Sequence, residues 1–226
     1  MDVVKRTRLS PEQRRAQLID LGAKMLAQRP LEQISVEDIA DQAGVSRGLL
    51  FHYFATKHDF HLEIVRHTSS EMLARTAPEP YVGEARDPMQ ILRSVLASYV
   101  DYVSENRGTY VSLLRGTASG DPDMRAVFED TRAVMSERTL EQLPAIGIER
   151  TRAVELAVRG WIAYVEEVTI TWLRDPHLTR DELIELNVQA LPALAIAAAP
   201  EIAAALLSAT TTWPALVFGK TPSAPG

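Results

Sequence analysis

The chain has 226 residues, a formal net charge of −6, 46% hydrophobic residues and no cysteine. The lack of cysteine excludes disulfides, thiolate metal sites and cysteine nucleophiles, and it fits a reducing cytoplasm. The longest uncharged run, residues 202–219, contains three threonines and Pro214, which argues against a membrane span, and the basic N-terminus lacks the apolar core of a signal peptide. We therefore expect a cytoplasmic, largely helical globule without a membrane partner.

The charge is unevenly distributed along the chain. Residues 1–77 carry 11 Lys and Arg against 10 Asp and Glu, whereas residues 78–226 carry 13 against 20. Attraction to phosphate depends on the local field rather than on the total charge. The pattern predicts an N-terminal part that tolerates nucleic acid and an acidic part with another task.

Residues 1–9 are predicted to form a basic flexible arm that contains Lys5, Arg6 and Arg8. A helix starts after Ser10, because proline follows this cap residue at the first helical position and Gln13 stands three residues after the cap. This helix should run to about residue 28. It opens a domain that we assign to residues 10–55.

Two short helices are predicted in the segment 34–60, at residues 35–43 and 46–53. Ser35 and Ser46 stand at the N-cap positions, and Asp38 completes something close to a capping box. Gly44 supplies the left-handed backbone of a tight turn between the helices. The spacing of Ala40, Gly44 and Leu50 is that of a helix-turn-helix, whose second helix lies in a DNA major groove.

The rest of the chain is predicted to be helical, as a domain over residues 56–213 followed by a tail at 214–226. A connecting helix starts at Thr56 and runs to about residue 77. Pro192 should kink or interrupt the last long helix. The further predicted helices cover approximately 88–105, 108–118, 122–142, 149–174, 180–198 and 200–208.

Two apolar seams in the second domain favour dimerisation. Each seam repeats at intervals of four and three residues, as expected for a helix that packs along another helix. Two seams from each subunit would build a four-helix interface, and a purely intramolecular core is the alternative. The seams consist of Val154, Val158, Trp161, Val165, Val168 and Trp172, and of Ile184, Val188, Leu191, Ala195 and Ala198.

Residues 35–60 resemble the DNA-binding signature of the tetracycline-repressor-like (TetR) family of bacterial transcriptional regulators. Matching positions occur in order without gaps, and Phe51 departs from the usual tyrosine. The recognisable match covers residues 10–65. The matching residues are Ile39, Ala40, Ala43, Gly44, Val45, Ser46, Gly48, Leu50, Phe54 and Lys57, with Ser35 at the usual threonine.

The resemblance implies a role for each residue of the helix-turn-helix. Arg47, Gly48, Leu49 and His52 would face base edges, with Arg47 bound to a guanine. Phosphates would be held by Ser35, Tyr53 and Lys57 and by the backbone amides at helix starts such as Ser46. Leu50, Phe54 and Phe60 are instead expected in the core.

The resemblance also implies a homodimer and an inducer cavity that is mostly apolar. Candidate lining residues are Tyr99, Tyr102, Tyr110, Phe128, Trp161 and Tyr164, for each of which core packing is the alternative. Either Glu166 or Glu167 could face this cavity and take a hydrogen bond or a cation, although both residues could also lie at a rim or an interface.

We predict an all-α protein: an N-terminal three-helix DNA-binding domain joined to a larger helical domain for ligand binding and dimerisation. Its expected function is that of a dimeric repressor, released from a near-palindromic double-stranded DNA operator by a small, mostly apolar ligand. We expect no cofactor, no metal and no catalytic site, and we interpret Asp59, Glu63 and His67 on one helix face as polar surface. The alternatives are a DNA-binding regulator without small-molecule control and an all-α enzyme that acts on an apolar substrate.

Overall fold

The computed structural model describes residues 9–78, 87–146, 148–198 and 200. Within these ranges all regular secondary structure is helical, which confirms the predicted fold class. The helices are α1 (Pro11–Leu26), α2 (Val36–Ala43), α3 (Arg47–Tyr53), α4 (Lys57–Arg75), α5 (Pro88–Glu105), α6 (Arg107–Arg115), α7 (Pro122–Leu140), α8 (Arg152–Arg174) and α9 (Arg180–Ala198), with short 3-10 helices at Leu31–Gln33, Thr117–Gly120 and Leu143–Ile146. No helix among these combines the length and hydropathy needed to cross a membrane. The predicted basic arm, the helix after residue 200 and the tail lie outside the described residues.

The capping signals place the helix starts correctly. Ser10 and Thr56 each form a full capping box, with Gln13 and Asp59 respectively. Ser35 accepts a hydrogen bond from the Asp38 amide at 3.0 Å, but the Asp38 carboxylate pairs with an arginine of the preceding segment instead of returning to the cap. The capping box predicted for α2 is therefore only half formed.

Helices α1–α3 form an N-terminal head, and α4 closes its core. Leu50, Phe54 and Phe60 are buried there, as predicted. The helices α1 and α4 approach so closely that a Cβ added to Gly22 would lie 2.4 Å from the Ile64 Cδ1 atom. This contact anchors the head to the helix that continues toward the rest of the molecule.

Helices α5–α9 form the body, with α8 packed against both α7 and α9. The predicted dimer seams lie mostly inside this body. Buried in the single chain are Val154, Val158, Trp161, Val165, Ile184, Val188, Leu191 and Ala195, while Val168 and Trp172 are partly buried against the same core. The seams thus join α8 and α9 to neighbours in one chain, and these buried side chains are not free to contact a second subunit.

Helix α9 runs through Pro192 without interruption, from Arg180 to Ala198. The predicted interruption is therefore wrong. Pro192 is itself buried, so the packing of its ring contributes hydrophobic stabilisation against the cost of the missing backbone hydrogen bond.

Candidate nucleic-acid interface and ligand cavity

The turn between α2 and α3 exposes the start of the second helix. Gly44 has φ 63° and ψ 40°, which is the left-handed conformation that the turn requires. Ser46 caps α3 by accepting a hydrogen bond from the Leu49 amide at 3.2 Å. The exposed N-terminus of α3 therefore presents backbone amides and the positive end of the helix dipole to solvent.

Arg47 is the charged side chain at this end of α3, and 64% of its side chain is exposed. Its guanidinium lies 2.7 Å from the Glu37 carboxylate and 5.6 Å from the centre of the Phe51 ring. These two contacts pre-orient the arginine. The sequence did not reveal this role of Glu37, since the pair joins two helices. Phe51, which lacks the usual hydroxyl, contributes its ring face instead.

The neighbouring positions of α3 are open. A Cβ added to Gly48 would meet nothing closer than the Ser46 hydroxyl at 3.9 Å, so packing within the chain does not demand glycine there. His52 is exposed, and its ring contacts Tyr53 edge to face at 5.4 Å. Leu49 is half-buried. The residues predicted to face DNA therefore share one accessible end of the head.

Lys57 lies at the start of α4, and its exposed ammonium donates a hydrogen bond to the Glu32 carbonyl at 3.2 Å. The lysine is thus tethered to the short 3-10 helix after α1. Tethering limits the entropy that a phosphate contact would cost, so the observed position is compatible with the predicted role.

His61 is a buried titratable group of the head that the prediction did not single out. Its Nε2 atom lies 3.0 Å from the Ile34 carbonyl, to which its N–H donates a hydrogen bond. Burial lowers the pKa of His61 below the ordinary value for histidine, and the charges of Lys57 and His58 act in the same direction. The neutral imidazole is the form that suits this site.

The free energy of unfolding is expected to fall as the pH drops from 7.5 to 5.5. Because the pKa of His61 is lower in the folded state, the unfolded chain binds more protons in this window, and folding loses stability as the pH falls through the folded-state pKa. Urea unfolding at both pH values measures the effect. His61→Gln, which keeps a donor for Ile34, should lose most of this dependence, whereas His67→Gln should retain it. Equal pH dependence in all three proteins would contradict this assignment.

The body contains a cavity of about 160 Å³ that opens to solvent and is bordered by α4, α5, α6, α7 and α8. Of the six aromatic candidates, Tyr99, Tyr102, Tyr110, Phe128 and Trp161 border it. Tyr164 does not border it and packs against the hydrophobic core instead. Apolar side chains supply most of the remaining wall: Met72, Ile91, Leu92, Val95, Leu96, Leu113, Leu114, Met135, Leu143, Ile162, Val165 and Leu191.

Most polar groups around the cavity are engaged with protein partners. The hydroxyls of four threonines donate to carbonyls of the preceding helical turn, and the two phenols of Tyr99 and Tyr110 are hydrogen-bonded to each other. These threonines are Thr68, Thr76, Thr131 and Thr139. The wall therefore offers a ligand little beyond apolar contact.

Two of the three charged groups at the cavity form an ion pair, whereas the third, Arg138, donates a hydrogen bond to the Leu73 carbonyl at 2.8 Å. Arg132 donates two hydrogen bonds to the Glu166 carboxylate, at 2.6 and 2.9 Å, and this pair raises the pKa of Arg132. Glu166 is thus the carboxylate that faces the cavity, while Glu167 is exposed and pairs with an arginine of α6. Burial raises the pKa of Tyr99 and Tyr110 and raises that of Tyr102 to about 12. The phenols are therefore neutral near pH 7.

Helix α6 contacts both the cavity and the head. Thr109, Tyr110 and Leu113 border the cavity. On the same helix, a Cβ added to Gly108 would lie 2.9 Å from the Ala27 carbonyl oxygen at the end of α1. Movement of α6 would therefore press directly on the head.

Two family models match successive parts of the chain. The one described as "Bacterial regulatory proteins, tetR family" matches residues 18–64, and "Tetracyclin repressor-like, C-terminal domain" matches residues 88–194. The crystal structure of a tetR-family transcriptional regulator from Streptomyces coelicolor has 28% sequence identity and a TM-score of 0.76, covering 89% of this chain and 90% of that chain.

The curated relatives include both an activator and a repressor. The transcriptional activator FasR of Mycolicibacterium smegmatis is 22% identical over 80% of this chain and 83% of its own length. The transcriptional repressor KstR2 of Mycobacterium tuberculosis is 31% identical over 43% of this chain and 48% of its own length, so that match spans about half of the relative. The structure of FadR from Bacillus subtilis in complex with stearoyl-CoA has 19% identity and a TM-score of 0.59, over 80% of this chain and 97% of that chain.

Proposed function

The chain belongs to the TetR family of DNA-binding transcriptional regulators, and from this premise we propose that it is a dimeric repressor controlled by an apolar small molecule. The DNA-binding part of this proposal rests on the exposed N-terminal end of α3, where Arg47, Gly48 and His52 are all exposed. A helix presented in this way fits the major groove.

We assign the base contacts to the first turns of α3. The planar guanidinium of Arg47 can donate two hydrogen bonds, to the O6 and N7 atoms of guanine. The ion pair with Glu37 pre-orients this side chain in the free protein. The open space at Gly48 lets the DNA approach the backbone, and Leu49 offers its methyl groups to thymine. Tyr53, Lys57, Ser35 and the amides behind Ser46 would position the phosphates.

The proposed ligand carries an extended apolar group. The chemical class of the ligand follows from the residues of the cavity wall. Threonine and tyrosine hydroxyls there are already hydrogen-bonded within the protein, so a hydrocarbon group can enter without leaving them unpaired. The stearoyl-CoA complex of the FadR structure supports a fatty acyl group as the first candidate. The apolar group would occupy the cavity, and any polar end would remain at its opening.

Coupling between ligand and DNA is proposed to run through α6. Because this helix borders the cavity and contacts the end of α1 at Gly108, a ligand that displaces it changes the position of the head. The ligand and the operator then favour different head positions, and each lowers the affinity for the other by the same factor.

The proposed dimer uses the faces of α8 and α9 that point away from the core. The residues proposed for contact are small or aliphatic, which permits close helix approach. Leu156 is 58% exposed, and a Cβ added to Gly160 would meet only open space. The proposed faces comprise the exposed residues Ala153, Leu156, Gly160 and Ala163 on α8 and Leu186, Ala193 and Ala197 on α9.

Replacing Leu156 by arginine is expected to convert the dimer into a monomer, because the charge would have to be buried without a partner. Operator affinity should then fall by about 100-fold or more, since the two heads no longer bind as one unit. Sedimentation velocity and fluorescence anisotropy measure the two effects. Val134→Arg, on an exposed face of α7, should change neither. A Leu156→Arg protein that remains dimeric would exclude this interface.

A further inference from the structure

His58, in the first turn of α4, lies between two carboxylates at the start of α7. Its Nε2 atom is 3.0 Å from the Asp123 Oδ2 atom, and its Nδ1 atom is 3.6 Å from the Asp121 Oδ2 atom. The imidazole and both carboxylates each offer one ligand atom, and these atoms lie within 4.8 Å of one another. We propose that the three residues bind a divalent transition-metal ion that fastens α4 to the body.

The distances suit such an ion. Zinc binds histidine nitrogen and carboxylate oxygen at about 2.0–2.2 Å, so two adjacent ligands of one ion lie roughly 3.0–3.5 Å apart. The Nε2 and Oδ2 atoms of His58 and Asp123 already have a separation of 3.0 Å. The Asp121 carboxylate faces the other ring nitrogen, Nδ1, at 3.6 Å, so its side chain has to turn toward Nε2 to complete the set.

The Asp121 carboxylate is oriented for this role. Its Oδ1 atom accepts hydrogen bonds from the amides of Asp123 and Met124, at 3.0 and 3.1 Å, because Asp121 is the N-cap of α7. Its Oδ2 atom is directed to the histidine instead. Backbone donors that fix a ligating carboxylate increase the affinity of a metal site.

Charge and access also favour a cation. With a neutral imidazole the cluster carries two negative charges, which a divalent ion compensates. Mixed nitrogen and oxygen ligands suit zinc and its neighbours in the first transition row. All three side chains are partly exposed, so water can enter and complete the coordination sphere. The nearby ammonium of Lys57 is engaged with the Glu32 carbonyl.

The consequence is a link between the head and the body. His58 belongs to the helix that closes the head core, whereas Asp121 and Asp123 begin a helix of the body. An ion held by all three binds only when these parts are docked, and it therefore stabilises the docked arrangement. The ion would thus set how readily α4 moves during the proposed DNA response.

The test is titration of the full chain with ZnCl2 at pH 7.5, measured by calorimetry and by hydrogen exchange. The expected result is one zinc ion per protomer and slower exchange at residues 55–60 and 118–125. His58→Gln and Asp123→Asn should each weaken zinc binding by about 100-fold and abolish the change in exchange. His177→Gln is the matched control, since His177 and Asp175 form an exposed pair at 2.8 Å that has no third ligand among the residues the structure describes.

Zinc binding that survives in His58→Gln, or the absence of saturable binding in the wild type, would overturn the proposal. A third result would also overturn it: stabilisation of the metal-free wild type on lowering the pH from 8 to 6, lost in His58→Gln, without zinc binding. That result would identify a proton as the occupant, because a protonated imidazole donates to both carboxylates. DNA binding by the variants is independent of these readouts, so failure of the metal site leaves the proposed function intact.

Discussion

Replacing Arg47 by alanine is expected to remove most of the sequence discrimination while leaving weak binding to any DNA. One bidentate contact with guanine contributes about 1–3 kcal/mol of discrimination. In a symmetric dimer the contact is lost in both half-sites, so operator affinity should fall by about 30-fold to more than 1,000-fold. Affinity for random duplexes, which depends on phosphate contacts, should fall far less. Fluorescence anisotropy with operator and scrambled duplexes at one salt concentration measures both.

Lys57→Ala is the matched comparison for Arg47→Ala. A lysine that binds phosphate weakens all sequences alike and reduces the salt dependence of binding. The two substitutions should therefore separate discrimination from affinity. Equal loss on operator and scrambled DNA for Arg47→Ala would remove Arg47 from the base-reading role and leave it as a phosphate contact.

Filling the cavity is expected to produce a repressor that no longer responds to its ligand. Leu92 borders the cavity and is only half-buried, so Leu92→Trp can extend into a space of about 160 Å³ without disrupting the core. Ligand affinity should fall by about 100-fold or more, because the apolar surface that drives binding is occupied. Operator affinity should stay within about threefold, since α3 is untouched. Titration of the operator complex with a series of fatty acyl-CoA compounds measures the response.

The control for this substitution places the same side chain elsewhere. Val134 lies on an exposed face of α7 and does not border the cavity. Val134→Trp should therefore leave release of the operator unchanged. If Leu92→Trp also responded normally to the acyl-CoA that releases the wild type, the ligand would have to bind outside this cavity.

The sequence predicts local structure well where the signals are local. Ser10, Thr56 and Gly44 determine helix starts and a turn through contacts within a few residues, and the structure confirms them. The N-cap residues of helices form hydrogen bonds that depend little on the rest of the fold. For the same reason the helix-turn-helix could be identified from its spacing alone.

Tertiary partners could not be predicted in the same way. The seam of Val158 and Val165 specifies that α8 packs along a helix, but periodicity is identical for a partner in the same chain and for one in another subunit. The pairs of Arg47 with Glu37 and of Arg132 with Glu166 join separate helices. No short-range pattern encodes such pairs, so they become visible only when the helices are assembled.

The same limit applies to the cavity. Five of the six predicted aromatic residues border it, because large amphipathic side chains on helices that surround a core point inward. Tyr164 lies on the same helix as Trp161 but three residues further along, and it packs on another part of the core. The sequence alone cannot predict a difference of this size in side-chain direction about the helix axis, because the direction depends on the neighbouring helices.

Selection of the full chain on a pool of random DNA duplexes tests the central claim most directly. We predict enrichment of one inverted repeat, with half-site centres about 34–36 Å apart or at a multiple of that spacing, because two copies of α3 must enter successive major grooves. Enrichment should disappear with Arg47→Ala. Recovery of a single unrepeated site, or of no sequence above the random background, would contradict a dimeric DNA reader built on this helix.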